Sequence, residues 1–352
     1  MSVFQRIAAF AVVPILMIAL SACGGGSGES DTPSPAGSGA ASGAGGTLTV
    51  HSGRNENLIA PLIDRLKAAT GLDVQVRYGD SAELAAQILE EGANTRADLF
   101  FSQDAGALGA LTKAGMLAAL PQPILDKVPA AYRAADGTWV GVSGRSRVIV
   151  YDPREVENPP RSVFELTDAK YRGQVGWAPT NASFQSFVTA LRVLSGEDRA
   201  RKWLEDMKAN DTKTFPNNNA ILDAVDNGEI RLGLINHYYW YEKVAEKGES
   251  AVPSKLAFLP GGDPGALVNV AGVGVLKASA NAAAAQRAVE FLLGPEAQKY
   301  FADETKEYPL VAGVATAPGL PPLDSLNAPD LDLSRLESLE QTLTLLQDVG
   351  LV

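Results

Sequence analysis

Hydrophobic positions along this chain alternate between short apolar runs and a helical repeat. Thr47-Leu48-Thr49-Val50 predicts a short strand. Leu58, Ile59, Leu62, Ile63 and Leu66 follow at helical spacing, and Gly71 ends that helix. Leu72–Val76 predicts a second strand. Ser81 is placed to cap a helix carrying Leu84, Ala85, Ile88 and Leu89. Ala97–Phe101 is a third strand, mostly apolar as a buried parallel strand should be. This βαβαβ order implies a parallel sheet with helices on both faces.

The pattern resumes past the middle. Arg147–Tyr151 and Gln174–Trp177 predict strands. The second leads through Ala178-Pro179-Thr180-Asn181 into a helix with Phe184, Phe187, Val188, Leu191 and Leu194. Ile221–Val225 is helical and Ile230–Ile235 extended, which makes a second α/β unit. Ala266–Leu276 is a Val- and Gly-rich extended run, and Ala284–Leu293 a helix. Ser334 with Glu337 has the spacing of a capping box for the last helix. Two α/β lobes with late segments returning to each leave a cleft between them. In open α/β sheets ligands bind beyond the carboxyl ends of the strands. The expected partition is 47–145 with about 269–318 for lobe 1, and 146–268 with about 319–352 for lobe 2.

The amino terminus changes the picture. Arg6 precedes an apolar run, Ile7–Leu20, and Leu20-Ser21-Ala22-Cys23 closes it. A charged start, a short apolar core and small residues before the cut define a secretory signal over residues 1–22. The run falls short of the about 20 apolar residues that span a bilayer. The Leu-Ser-Ala-Cys ending resembles the bacterial lipobox, which implies lipidation of Cys23. Cys23 is the only cysteine in the sequence, so the mature body has no thiolate chemistry and no internal disulfide. Residues 23–46 are almost all Gly, Ser, Ala and Pro, a flexible spacer. These features predict an exported protein, lipid-anchored to the cell membrane on its extracytoplasmic side.

With 30 Lys+Arg against 41 Asp+Glu the net charge is -11. Removing the signal, whose one charged side chain is Arg6, makes the mature chain more acidic still. A nucleic acid is therefore not expected as a partner, because phosphate binding needs a basic face.

Candidate chemistry lies just after the strands. Asn236-His237-Tyr238-Tyr239-Trp240-Tyr241 gathers three tyrosines, a tryptophan and one of the two histidines of the chain. A phenol has a pKa near 10 and ionises at neutral pH only beside a strong positive charge such as a trivalent metal. Aromatic packing accounts for the same residues equally well. Thr180–Ser183 sits where a strand hands over to a helix, which suits anion binding as well as plain N-capping. Arg145 and Arg147 lie at a strand edge, able to grip a carboxylate or carbonate or to form ordinary ion pairs. Asn217-Asn218-Asn219 precedes a helix, and capping by one leaves others for a ligand. His51 and His237 alone build neither a zinc site nor a catalytic triad. No nucleophile elbow, Walker loop or His-Glu-x-x-His occurs. An enzyme, such as a secreted hydrolase, is thus disfavoured.

Several stretches together resemble the periplasmic ferric-iron-binding proteins, the solute receptors of iron(III) ABC importers. They are Tyr78–Leu84, Ala97–Phe101, Ser143–Asp152, Asn236–Tyr241, Asp263–Val268 and Glu307–Leu310, of which Asn236–Tyr241 resembles the ligand loop of the family. The resemblance spans the whole mature body. It implies a two-lobed periplasmic-binding fold of type II and a monomer that hands cargo to an ABC permease. Tyr238 and Tyr239 inherit the iron-ligand role. A synergistic anion (carbonate, phosphate or citrate) falls to Asn181, Ala182 and Ser183, with Arg145, Asn218 and Asn236 nearby. The chain departs from the family in two places. Members with a His and a Glu ligand carry them where this chain has Asn55 and Gln103. Members with a third tyrosine carry it where this chain has Asn181. Asn55, Gln103 and Asp104 are the further ligands to consider, and His51 only if its loop folds back. The alternative on the same fold is a receptor for an anionic organic solute or phosphonate.

Overall fold

The computed structural model describes residues 46–326 and 328–352. The predicted signal, Cys23 and all of the spacer except Gly46 lie outside the described residues. The first half runs β1 (Thr47–Ser52), α1 (Glu56–Thr70), β2 (Asp73–Tyr78), α2 (Ser81–Glu91), β3 (Leu99–Ser102), α3 (Ala105–Lys113), α4 (Gln122–Leu125) and β4 (Val140–Tyr151). Then come β5 (Val175–Trp177), α5 (Ala182–Ser195), α6 (Glu197–Ala209), β6 (Lys213–Thr214), α7 (Asn218–Asp226), β7 (Leu232–Asn236) and α8 (His237–Lys247). The chain finishes with β8 (Lys255–Ala257), β9 (Val268–Val275), α9 (Ala282–Leu292), α10 (Pro295–Asp303), β10 (Tyr308–Pro309) and α11 (Leu339–Val349).

The expected βαβαβ start is present. β1 pairs in parallel with both β2 and β3. Gly71 ends α1 in the left-handed conformation at φ 67°, where a side chain is unfavourable. The strand order is β2-β1-β3-β9-β4-β7-β5-β6. β4 is the link between the two halves. Its residues Val140–Ser146 pair with β9, and Arg147–Tyr151 pair with β7. The handover falls between Ser146 and Arg147, so the two arginines of this strand flank it.

The apolar core divides accordingly. One cluster packs β1, β3 and β9 against α1, α3 and α9, with Phe100, Phe101 and Trp139 fully buried. Two others cover opposite faces of the second half of the sheet. Ile149, Leu232 and Leu234 meet Phe184, Phe187 and Trp203 on one face. Val148, Val150 and Ile235 meet Ile221, Val225 and Trp240 on the other. Successive β4 side chains thus alternate between the two, as a pleated strand requires. The result is a mixed α/β, two-lobed periplasmic-binding fold. The C-terminal segment serves both halves: Leu331, Leu333 and Leu336 join the first core, and Leu345, Leu346 and Val349 the second.

Three local expectations are corrected. α2 is capped by Asp80, which accepts from the Ala82 N–H at 2.8 Å, while Ser81 Oγ accepts from the Gln103 N–H at 2.9 Å. Ser334 opens no final helix: it lies in a 3₁₀ turn, Leu333–Glu337, capped by Asp332. The segment after Asn236 is not a loop but the first turn of α8. No helix among the described residues is long and apolar enough to cross a membrane.

Candidate functional site

A cavity of about 690 Å³ opens at the carboxyl ends of the strands. Asn55, Gln103, Asn181, Ala182, Tyr238 and Tyr239 all line it, drawn from four separate stretches of chain. Gly53 permits the wall on the β1 side. A Cβ there would fall 1.8 Å from Ser81 Oγ, so only glycine lets this turn meet the start of α2.

α8 divides the aromatic segment by helical geometry. Tyr238 and Tyr239 face the cavity with their rings stacked, centroids 4.2 Å apart and planes 29° from parallel. Trp240 and Tyr241 turn away. Trp240 Nε1 donates to the Ser254 carbonyl at 2.9 Å, and the Tyr241 hydroxyl donates to Gly319 at 2.9 Å. The packing reading of this segment thus describes Trp240 and Tyr241, and Tyr238 and Tyr239 are the candidates for a ligand. Burial first, then the neighbouring Tyr239, push the Tyr238 phenol well above its ordinary pKa, and Arg145 opposes them. Without a bound cation it stays neutral.

His237 anchors the start of α8. Its Nδ1 accepts from the Ser146 N–H at 3.1 Å, so the proton sits on Nε2, which donates to the Lys306 carbonyl at 2.9 Å. The tyrosines are thereby tied both to β4 and to the segment before β10. Burial holds the ring down to about 4, so it is neutral at physiological pH.

Two buried arginines from β4 stand beside the tyrosines. Arg145 lies 3.8 Å from Glu307 and donates to the Gln103 carbonyl. Arg54 completes this cluster, its Nη2 meeting both Glu307 oxygens at 2.8 and 2.9 Å. Arg147 differs. It donates to Ser183 Oγ at 3.2 Å, Asn236 Oδ1 at 3.4 Å and the Leu234 carbonyl at 3.1 Å. No carboxylate lies within ion-pair distance of it among the described residues. Burial lowers its guanidinium to about 9, and the two tyrosines oppose that shift. It remains a charge at neutral pH.

Of the residues expected to hold an anion, Asn181, Ser183, Asn218 and Asn236 come together around the start of α5 and Arg147. Asn181 caps α5, accepting from the Ser183 N–H at 3.1 Å, and also takes the Ser183 hydroxyl at 2.6 Å and Asn218 Nδ2 at 3.2 Å. Asn218 is buried, with Oδ1 unpartnered. Asn217 caps α7, and Asn219 is the one of the three that reaches the cavity wall. Ser183, Asn218 and Asn236 therefore stand behind Asn181 rather than on the cavity surface, and Arg145 and Arg147 do not line the cavity either.

Two other positions lie elsewhere. Asp104 is buried and caps α3 through the Gly106 and Ala107 N–H groups, at 2.9 and 3.2 Å, and it does not line the cavity. His51 is on β1 and borders a different cavity of about 380 Å³ with Arg77 and Glu91, so its loop does not fold back. Glu242 was not anticipated. It lines the tyrosine cavity, and burial pushes its carboxyl up to about 7. The helical spacing from Tyr238 to Glu242 was visible in the sequence; reading the segment as a loop concealed it.

Comparisons with known proteins show what the chain is similar to. The family model for bacterial extracellular solute-binding proteins matches residues 94–335. The major ferric iron-binding protein of Neisseria meningitidis serogroup B is 36% identical over 311 residues, covering 86% of this chain and 93% of that protein. Iron-bound HitA from Pseudomonas aeruginosa superposes with a TM-score of 0.81 at 36% identity, over 86% of this chain and 99% of that one. A Trichodesmium protein (IdiA, FutA), solved in complex with iron and citrate, matches with a TM-score of 0.75 at 30% identity, over 87% and 100%. The chain belongs to the bacterial extracellular solute-binding protein family, among its periplasmic ferric-iron-binding proteins.

Proposed function

We propose that this protein is the receptor of an ABC importer and carries ferric iron on the phenolate oxygens of Tyr238 and Tyr239. The observation that carries the reading is the stacked tyrosine pair in one cavity beside buried arginines. A buried phenol needs a strong positive charge to ionise. A trivalent ion supplies it, and Arg147, without a carboxylate of its own, stabilises the negative charge that results. A synergistic anion (carbonate, phosphate or citrate) sits at the amino terminus of α5, against Asn181 and Ala182, where the Ala182 N–H and the helix dipole favour it. Ser183, Asn218 and Asn236 orient that wall from behind, and Arg145 and Arg147 supply the positive field. Asn55 and Gln103 contribute neutral amide oxygens, and Asp104 stays with α3.

In this reading the lobes are 47–145 with about 269–318, and 146–268 with about 319–352, of which Leu331, Leu333 and Leu336 pack on the first core. They move about the handover in β4. Closure desolvates the ion and forms the surface that the permease reads. Lipid on Cys23 and the spacer behind it keep a monomeric receptor outside the membrane beside its importer. The protein binds its cargo and does not transform it.

Adding Fe(III) to the purified protein should produce a visible tyrosinate-to-iron charge-transfer band. Tyr238→Phe with Tyr239→Phe should abolish it. The buried arginine donors without partners favour one second reading, a receptor for an anionic organic solute or phosphonate. A protein that stays colourless with iron and gains thermal stability from such an anion alone would establish that reading instead.

A further inference from the structure

We propose that Glu242 is a third anionic ligand to the ferric ion, entering the site from the same helix as the two tyrosines. This rests on the iron reading above. Glu242 follows Tyr238 by four residues and Tyr239 by three, so it stands one helical turn along on the same face of α8. All three line the one cavity.

The neighbours of Glu242 on α8 are engaged elsewhere. Tyr241 bonds Gly319, Trp240 bonds Ser254, and Lys243 pairs with Asp223 and Asp226 at 2.5 Å. Glu242 has no hydrogen bond and no ion pair among the described residues. Largely buried charges are normally paired or coordinate a metal. The other acids near the site are already committed. Asp80 is exposed and caps α2, Asp104 caps α3, and Glu307 is held by Arg54, Ser143 and Thr305. The remaining polar cavity residues near the tyrosines, Asn55, Gln103 and Asn181, are neutral amides.

Charge balance points the same way. Two phenolates leave a ferric ion with one positive charge uncompensated. The surroundings add Arg54, Arg145 and Arg147 against Glu307. A net charge in a dry cleft is costly; one carboxylate cancels the charge that the two phenolates leave on the ion, and the excess of arginine over Glu307 is left for the synergistic anion. When the lobes close, Glu242 travels with Tyr238 and Tyr239 as one rigid unit, so the three oxygens need no separate assembly.

The test is an Fe(III) titration with citrate as competitor, read through the charge-transfer band, in wild type, E242Q and the double variant E242Q/Q103E. Gln103 lines the same cavity and its Oε1 already accepts from Arg54 at 3.3 Å, so a carboxylate there can stand in. E242Q should keep the band, because both tyrosines remain. It should lose iron to citrate at least tenfold more readily, with the band moved to longer wavelength as the ion loses an anionic donor. Q103E in the double variant should recover most of both. Wild-type affinity and band position in E242Q would overturn the proposal and leave the iron reading standing. A weakened E242Q with an unmoved band and no recovery in the double variant would also overturn it, since the loss would then be one of packing. A wild-type protein without any band would overturn both.

Discussion

Arg145 and Arg147 stand two residues apart on β4, each about 2% exposed, yet they live in opposite electrostatic settings. Arg145 shares Glu307 with Arg54, in a cluster closed further by the Ser143 hydroxyl at 2.9 Å and Thr305 at 3.2 Å. Arg147 meets neutral groups alone: its three hydrogen-bond acceptors, the rings of Phe184 and Phe187 at 5.7 and 5.6 Å, and the two cavity tyrosines. The first setting joins the turn after β1, β4 and the segment before β10, and both of its arginines have a carboxylate of the fold as partner. The second leaves a buried positive charge without an anion of its own, beside the tyrosines that line the cavity. A buried charge compensated internally is part of the frame; one left open invites a ligand to complete it.

Removing Glu307 should break the first setting most severely. Glu307→Gln leaves Arg54 and Arg145 facing each other without their shared anion. A loss of about 3–5 kcal/mol in denaturant unfolding is expected. If the loss is no greater than that of the Arg147 variant below, the contrast drawn here is wrong.

Acid should strike the joint between the two settings next. The His237 pKa falls from 6.5 to about 4 on folding, chiefly through burial. Between those values the unfolded chain binds a proton that the folded protein refuses, so stability rises with pH across that window. The contribution is complete above about 6.5 and is lost as pH falls toward 4, about 3 kcal/mol in all. Protonation would also place an N–H against the Ser146 N–H. The unfolding midpoint of the metal-free protein, followed over pH 4–7 in wild type and His237→Asn, checks this: the histidine-dependent part should vanish in the variant.

Arg147→Met should unfold with a smaller loss, about 1–2 kcal/mol, set by the hydrogen bonds to Ser183, Asn236 and Leu234. Its iron binding should nonetheless fall about tenfold or more, a charge-assisted contact having been removed. Equal iron affinity in this variant would remove Arg147 from the site. Asn181→Ala is the mildest change. It deletes the α5 cap, for about 1 kcal/mol, and frees Asn218 and Ser183. Weaker synergy between anion and iron, at nearly unchanged stability, would sharpen the assignment of that wall.

Much of this arrangement was legible in the order of residues. Helices and strands announced themselves by period, and the tyrosine pair and the Asn181 turn stood out because each follows a strand end. The misreadings share a cause. At Asp80-Ser81 both side chains can cap a helix, and only the Gln103 N–H, which lies 22 residues further on and claims Ser81, decides between them. At Ser334 the spacing fits a cap, but the chain is in a 3₁₀ turn packed on α3, where Gly109 lies against the Ser334 carbonyl. The aromatic density of Asn236–Tyr241 suggested a ligand loop. His237, pinned by Ser146 and Lys306, instead starts a helix there, and that placed Glu242 in the cavity.

By itself the sequence determined the alternation of strands and helices, the family, and the pair of phenols, because these depend on local period and on residue type. Only the tertiary structure decided which charges are free. Arg145 and Arg147 read alike in a strand, and so do Asp104 and Glu242 as acids near a strand end. Their difference comes from partners brought from far along the chain, Glu307 for one arginine and the α3 N–H groups for one acid. Electrostatic free energy is set by those distances and by exclusion of water, and neither is written in the order of residues.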